Sequence, residues 1–183
     1  MKTKLLSFLL LLSCAAFSQT NLKFYKTIED YAKDNSIPGY DIVPNSNWEN
    51  SWTGEKMYVL VSGKEEKMKP VEFPGDFYTD NKGHLWRRYK NETFVLLVFG
   101  DYCYYMSTLG FDPVRHYSET ISGPIKKFNE GVFEKKLKEK SLFEAYKKDK
   151  PKREFRDSPS SYFTKIVERD IKYAKLLNGD TEE

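Results

Sequence analysis

Residues 94–108 read FVLLVFGDYCYYMST, and this stretch decides the fold class. Its first six residues are all apolar, which is typical of a strand at the centre of a sheet. Gly100 and Asp101 suit a two-residue turn, after which residues 102–108 return as an aromatic strand. The stretch therefore predicts a β-hairpin within an antiparallel sheet.

Further hairpin signals precede this stretch. Gly63-Lys64 and residues 80–83, which end in a glycine suited to a left-handed turn position, separate runs of strand-forming residues. These runs are residues 56–62, 65–71, 77–79 and 84–90, and a further short strand is predicted at 40–43. Thr27 is a good cap for a short N-terminal helix that ends near residue 35. We expect a sheet of about five to seven strands, either flat or curled.

Helical patterns follow the strands. Residues 129–140 have apolar side chains at helical spacing, and a capping-box pattern of Ser141 and Glu144 predicts a second helix to about residue 148. Ser158 or Ser160 caps a third helix. Its apolar stripe consists of Phe163, Ile166, Val167, Ile171, Ala174 and Leu177. Strands followed by helices predict an α+β fold whose C-terminal helices pack on one face of the sheet.

The first eighteen residues have the pattern of a cleaved signal peptide. A basic lead precedes the apolar residues 5–17, and Ala16 and Ser18 place small side chains where a signal peptidase cleaves. The apolar run is shorter than the roughly 20 residues that a membrane-spanning helix needs. We expect residues 1–18 to be removed. Residues 19–183 should then form a single α+β domain, strand-rich over about 40–120 and helical over about 125–178.

Cys14 leaves an alternative open. Leu11-Leu12-Ser13-Cys14 resembles the lipobox of bacterial lipoproteins, in which the cysteine is acylated and becomes the first residue. The first and third positions suit that pattern, whereas the second is usually a small residue and here is Leu12. Release after Ser18 and lipid anchoring at Cys14 both place the protein in the periplasm or outside the cell.

Composition argues against several classes of function. The formal net charge of +3 over 183 residues gives no general electrostatic reason to bind nucleic acid. Cys103 is the only cysteine after the signal peptide, so neither an intramolecular disulfide nor a cysteine-based metal cluster is expected. The chain has two histidines, and it lacks a phosphate-binding glycine loop and a nucleophile elbow. We expect no cofactor, no metal and no transmembrane span.

Residues 112–119 contain a dense set of reactive side chains. His116 is a candidate general base that Asp112 or Glu119 would orient. Ser118 is the candidate nucleophile, and it would share a strand face with His116 because side chains alternate along a strand. The competing interpretation is a polar connection without chemistry.

Residues 84–90 interleave aromatic and basic side chains. In a strand, Trp86 and Arg88 share one face and Tyr89 lies on the other. A tryptophan beside an arginine can stack on a sugar ring or hold an acidic group, so these three residues are candidate binding residues. The alternative is an exposed cross-strand aromatic with its arginines in solvent.

Residues 147–156 carry six basic side chains against two acidic ones. Lys152 and Arg153, near the centre of this run, are candidate contacts with an acidic partner such as lipid headgroups or anionic polysaccharides. A charge run is more often only a solvated surface, and that interpretation competes here.

Two hypotheses of function follow from these patterns. Export, many aromatic residues and the lack of a catalytic motif favour a non-catalytic binding module, in the envelope or secreted, whose partner is a protein or a glycan. Peripheral contact with an anionic surface is a further expectation for this module. The alternative is a small secreted hydrolase that acts on envelope material through His116 with nearby carboxylates.

Overall fold

The computed structural model describes residues 23–42, 57–80, 83–107 and 113–180. These residues form the predicted α+β fold, with a seven-stranded antiparallel sheet, a second sheet of three strands and four α-helices. The chain divides into two compact units, one ending at Asn91 and one beginning at Glu92. Within the described ranges, every helix is too short or too polar to cross a membrane.

The first unit combines six strands with one α-helix and one 3-10 helix. In chain order they are β1 (Phe24–Tyr25), α1 (Ile28–Ala32), β2 (Tyr40–Ile42), β3 (Met57–Val61), β4 (Lys64–Met68), the 3-10 helix (Pro70–Glu72), β5 (Phe77–Thr79) and β6 (Leu85–Tyr89). β1, β5 and β6 are neighbours in that order, and β2, β3 and β4 form the three-stranded sheet. Thr27 caps α1 as predicted, because its Oγ1 accepts a hydrogen bond from the Asp30 N–H at 3.1 Å.

The turn between β3 and β4 lies one residue earlier than the sequence predicts. Ser62 and Gly63 form it with φ angles of 50° and 81°, and Lys64 already belongs to β4. Positive φ at both central residues is the turn geometry that fits the twist of paired strands. Val71, predicted to be in the returning strand, lies in the 3-10 helix because the preceding Pro70 has no N–H to offer a sheet.

Aromatic rings build the core of the first unit. Phe24, Phe73 and Tyr78 contact one another with ring centroids 5.3, 5.4 and 5.8 Å apart. Trp86 stacks on Tyr78 at 5.8 Å, with the ring planes 11° apart. Edge-on and offset contacts of this kind are favourable beyond the area they bury. These four rings therefore supply packing rather than an exposed stacking surface.

The second unit consists of four strands followed by three helices. They are β7 (Glu92–Val98), β8 (Cys103–Ser107), β9 (Val114–Ser118), β10 (Lys126–Lys127), α2 (Glu130–Glu139), α3 (Phe143–Lys148) and α4 (Pro159–Leu177). The strands are neighbours in chain order. The helices pack on one face of this part of the sheet, as the sequence predicts. The buried cluster consists of Val98, Tyr102, Tyr104, Tyr117, Phe133, Leu137, Tyr146, Val167, Tyr173, Ala174 and Leu177.

β7 and β8 form the predicted hairpin, but their connection is longer than a two-residue turn. β7 ends at Val98 and β8 begins at Cys103, and the pairing slips by one residue between Leu96 and Val98. Such a bulge bends the strand and changes which side chains face the core. The run of apolar residues gave no signal for this slip, because a run without polar alternation does not fix the register of a strand.

Asn178, which follows α4, holds the hairpin connection in place. Its Oδ1 accepts a hydrogen bond from the Tyr102 N–H at 2.8 Å, and its Nδ2 donates to the carbonyls of Tyr102 at 3.0 Å and Phe99 at 3.2 Å. Gly100 makes room for this amide, since a Cβ there would lie 2.4 Å from the Asn178 side chain and φ is 153°. The end of α4 is therefore bonded to the connection between the central strands.

The junction between α2 and α3 differs from the predicted capping box. Ser141 does not cap α3; it takes the left-handed position that ends α2, with φ of 59°. Its N–H donates to Lys138 O at 3.1 Å, and the Leu142 N–H donates to Leu137 O at 2.8 Å. This is the hydrogen-bond pattern of a Schellman motif, which is usually built around glycine. α3 consequently begins at Phe143 without a side-chain cap.

The last helix has its predicted cap, and its predicted stripe is confirmed in part, because Phe163, Ile166 and Ile171 are only half-buried. Ser158 Oγ accepts a hydrogen bond from the Ser161 N–H at 3.1 Å, and Val167, Ala174 and Leu177 are buried. Asp170 is also fully buried on this side of the helix, which the apolar pattern alone did not predict.

Some predictions concern residues outside the described part of the chain. These are the signal peptide over residues 1–18, the lipidation alternative at Cys14 and the role of Asp112. They remain predictions.

Candidate functional site

The segment between α3 and α4, residues 149–157, contains the predicted contact residues Lys152 and Arg153. We call it the basic connection. Asp149 ends α3 by donating its N–H to Ala145 O at 2.9 Å, and Pro151 cannot continue the helix because it lacks an N–H. Ser158 then caps α4. The basic connection is therefore a short non-helical segment between two defined helix ends.

Hydrogen bonds hold the backbone of the basic connection. Asp157 Oδ2 accepts from the Glu154 N–H at 2.9 Å, and the Asp157 N–H donates to Glu154 O at 3.0 Å. These two bonds close a turn around Phe155. Tyr162 of α4 donates its hydroxyl to Pro151 O at 3.3 Å. The turn that carries Phe155 is thus closed by hydrogen bonds within the protein.

Asp149 is turned towards α4. Its Oδ2 accepts hydrogen bonds from Tyr173 Oη at 2.7 Å and from Lys172 Nζ at 3.0 Å. The bond from Tyr173, and then the bond from Lys172, hold the pKa of Asp149 below its usual value. Asp149 is therefore ionised and already paired with a cation of the helix.

The other two acidic residues of the basic connection share one lysine of α4. Lys165 Nζ lies 3.0 Å from Asp157 Oδ2 and 3.8 Å from Glu154 Oε1. The hydrogen bond from the Glu154 N–H, and then that from Lys165, lower the pKa of Asp157. All three acids of the segment consequently find cations on α4 and do not neutralise the bases beside them in sequence.

The basic side chains of the segment are left for solvent. Lys150, Lys152, Arg153 and Arg156 are exposed, and none of the four makes a side-chain hydrogen bond, ion pair or ring contact with another residue in the described ranges. Phe155 lies among them with a relative exposure of 106%. Within seven residues of the chain, the basic connection thus presents four unpaired cations and one fully exposed aromatic ring.

The three predicted binding residues of β6 differ in burial and in their contacts. Trp86 is only 7% exposed, is stacked on Tyr78 and donates its Nε1–H to Asp80 Oδ2 at 2.9 Å. Arg88 pairs with Asp76 at 2.6 Å, and Tyr89 is half-buried. Trp86 therefore offers little ring surface for a sugar, and it resembles neither of the exposed arrangements expected from the sequence.

The predicted hydrolase residues lie on β9 and just after it. Ser118 is fully buried, its Oγ donates to Thr120 O at 2.7 Å, and it lies 3.0 Å from Tyr105 Oη. His116 uses Nδ1 to contact Val114 O at 3.0 Å, and no hydrogen bond joins it to Ser118 within the described residues.

The surroundings of His116 lack a carboxylate in hydrogen-bond contact among the described residues. Burial lowers the pKa of His116, and Phe94 packs against its ring with centroids 4.9 Å apart. Glu119 is exposed and lies 3.6 Å from Lys126. The described part thus brings His116 and Ser118 onto one strand without joining them into a catalytic pair.

A buried ionic cluster around Asp170 was not predicted. Arg115 Nη1 donates to Asp170 Oδ2 at 2.5 Å, and Arg169 Nη2 donates to Asp170 Oδ1 at 3.3 Å. The hydroxyls of Tyr146 and Tyr104 donate to the same carboxylate at 3.0 and 3.4 Å. Burial, and then the nearby Asp170 charge, raise the pKa of both tyrosines, so the hydroxyls remain protonated donors.

This Asp170 cluster joins α4 to the sheet. Arg115 lies on β9 and also covers the Phe128 ring, with Cζ 4.5 Å from the ring centroid. Asp170 has no exposed surface, so its charge must be compensated by the groups that contact it. We assign the cluster to the packing of α4 against β9. The signal in the sequence was an aspartate at helical spacing between Val167 and Ala174.

Comparisons with known proteins add no family. The chain matches no protein family, no curated protein and no solved structure. In the described ranges, no group of three or more His, Cys, Asp or Glu side chains could hold a metal ion.

Proposed function

We propose that the protein is an exported, non-catalytic binding module that docks on anionic material of the cell envelope through the basic connection. The observation that carries this proposal is the separation of charge in residues 149–157. The acids are paired with lysines of α4, whereas Lys150, Lys152, Arg153 and Arg156 are exposed and unpaired in the described part of the chain. Export is supported by the signal-like pattern of residues 1–18.

The pairing matters because it changes what the segment offers to a partner. Exposed bases beside free acids would form weak local pairs with a small net field. Here Asp149 and Asp157 accept hydrogen bonds from lysines of α4, and Glu154 lies 3.8 Å from one of them, so the bases keep their donors and their charge for an external anion. Arginine suits phosphate and carboxylate groups because its guanidinium can donate two parallel hydrogen bonds. This supports a polyanionic partner over a neutral glycan.

The non-catalytic interpretation is supported by the positions of Ser118 and His116. Ser118 donates its hydroxyl proton to a carbonyl rather than to His116, and a serine nucleophile needs an adjacent base. We therefore favour binding over the hydrolase hypothesis.

Retention on a polyanion tests this function. The mature protein should be retained on dextran sulfate resin and elute as salt screens the attraction. The variant with Lys152→Gln and Arg153→Gln should elute at clearly lower salt. The matched control, with Lys135→Gln and Lys140→Gln, loses the same charge from exposed residues of α2 and its C-terminal end. Equal elution of the two variants would mean that net charge, and not the basic connection, governs binding.

A further inference from the structure

We propose that the anionic surface recognised by the basic connection is a lipid bilayer, and that Phe155 enters its headgroup region while the exposed bases of the same segment bind lipid phosphates. This inference rests on the function proposed above and names the partner of the same site.

The exposed ring of Phe155 is the feature that favours a lipid bilayer over other polyanionic partners. Single exposed apolar side chains are common on protein surfaces, so exposure alone carries no inference. Phe155, however, lies in the turn that two hydrogen bonds between Glu154 and Asp157 close, and its ring makes no ring contact with another described residue. A soluble polysaccharide offers charge but no apolar phase, so it gains nothing from this ring. A bilayer offers both, in adjacent layers.

The charges around Phe155 fit the headgroup layer. Arg153 and Arg156 flank the aromatic ring in sequence, and both are exposed. An arginine beside an inserted ring can keep its guanidinium at the level of the phosphates while its stem lies along apolar surface. Basic residues near an anionic leaflet are attracted by its surface potential, and this attraction falls off within a Debye length.

The expected changes in affinity indicate that the bases and the Phe155 ring both contribute to membrane binding. Each base near an anionic membrane strengthens binding about fivefold. Loss of Lys152 and Arg153 should therefore weaken binding to anionic vesicles by about 25-fold, and loss of the Phe155 ring should weaken it by about tenfold. Neither part alone gives stable anchoring, because peripheral association usually needs two signals.

Vesicle flotation measures these effects. The mature protein should float with vesicles of phosphatidylcholine and phosphatidylglycerol and should stay behind with pure phosphatidylcholine vesicles. Phe155→Ser should reduce flotation about tenfold while leaving retention on dextran sulfate resin unchanged. The matched control is Phe99→Ser, which removes a ring that is 56% exposed elsewhere in the same unit, and it should float like the parent protein.

Insertion itself is measured by fluorescence. In Phe155→Trp, lipids brominated near the headgroup should quench the added emission, relative to the parent protein with its own tryptophans. If Phe155→Ser binds the vesicles as tightly as the parent, or the added tryptophan is not quenched, the bilayer inference is overturned. Continued retention on dextran sulfate would then leave the polyanion-binding function standing. Loss of both kinds of binding in the parent protein would overturn both proposals.

Discussion

The sharpest test of the packing concerns the charge of Asp170. Asp170→Asn keeps the shape of the side chain and removes its charge from a site with no exposure. Both carboxylate oxygens accept from a guanidinium, Oδ2 from Arg115 and Oδ1 from Arg169. Either orientation of the new amide therefore sets an N–H group against a guanidinium.

The expected magnitude follows from what the substitution leaves behind. Removing one partner of a buried ion pair costs about 3–5 kcal/mol, because the remaining charge stays buried without compensation. This is a large part of the roughly 5–15 kcal/mol that stabilises an ordinary domain. Tyr104→Phe removes only the longest of the four hydrogen bonds, 3.4 Å, and should cost about 0.5–1.5 kcal/mol.

Urea unfolding followed by far-UV circular dichroism measures these differences in the free energy of unfolding. Asp149→Asn is the control, because it removes an aspartate that also binds a lysine and a tyrosine but is exposed to solvent, and it should change stability far less. Combining Asp170→Asn with Arg115→Met should cost less than the two single changes together, by about 0.5–3 kcal/mol.

Two outcomes would refute this reasoning. The first is that Asp170→Asn unfolds at the urea midpoint of the parent protein, and the second is that the effects of Asp170→Asn and Arg115→Met add. Either result would show that the cluster does not tie α4 to β9.

Two further predictions concern the second unit. Ser141→Gly should raise the free energy of unfolding by up to about 1 kcal/mol, because Ser141 has a φ of 59°, which glycine adopts without strain; an unchanged or lower urea midpoint would contradict this. Burial lowers the pKa of His116 from its ordinary value of 6.5, so the unfolded chain binds more protons below that pH and stability should fall as the pH drops from about 6.5 towards the folded pKa. Urea midpoints measured across this range should fall less steeply in His116→Phe, and parallel curves for both proteins would count against the assignment.

The sequence predicted the features that depend on local periodicity. The helix at residues 129–140, the Ser158 cap and most residues of the predicted strand runs follow from side chains within a few residues of one another, and the structure confirms them. The basic connection was also visible as a charge run. The ion pairs of its acidic residues were not visible in the sequence. Their partners Lys165 and Lys172 lie in the next helix, and the sequence does not show that these lysines face the segment.

The misplaced features all depend on a choice between two acceptable local patterns. Ser141 and Glu144 match a capping box at the start of α3. The same serine also occupies the position after α2 where a left-handed conformation ends the helix, and in the structure it has this second role. The alternation of side chains along β6 is compatible with either an exposed or a buried Trp86. The stacking of Trp86 on Tyr78 places it on the buried face. The burial of Asp170 was not predicted, because one of its counterions, Arg115, lies on another element and the sequence does not show that contact.

The bond from Asn178 to Tyr102 has a consequence for the speed at which the second unit opens. The two residues are separated by 76 positions, and closing a flexible loop of that length costs about 4 kcal/mol of chain entropy. We therefore expect this contact to form after β7, β8 and α4 have been brought together. An interaction that forms so late has little influence on the folding rate and instead raises the barrier to unfolding, which the unfolding limb of a chevron plot reports. The hydrogen bonds of the Asn178 amide should therefore slow the unfolding of the β7–β8 hairpin without changing the rate at which it folds.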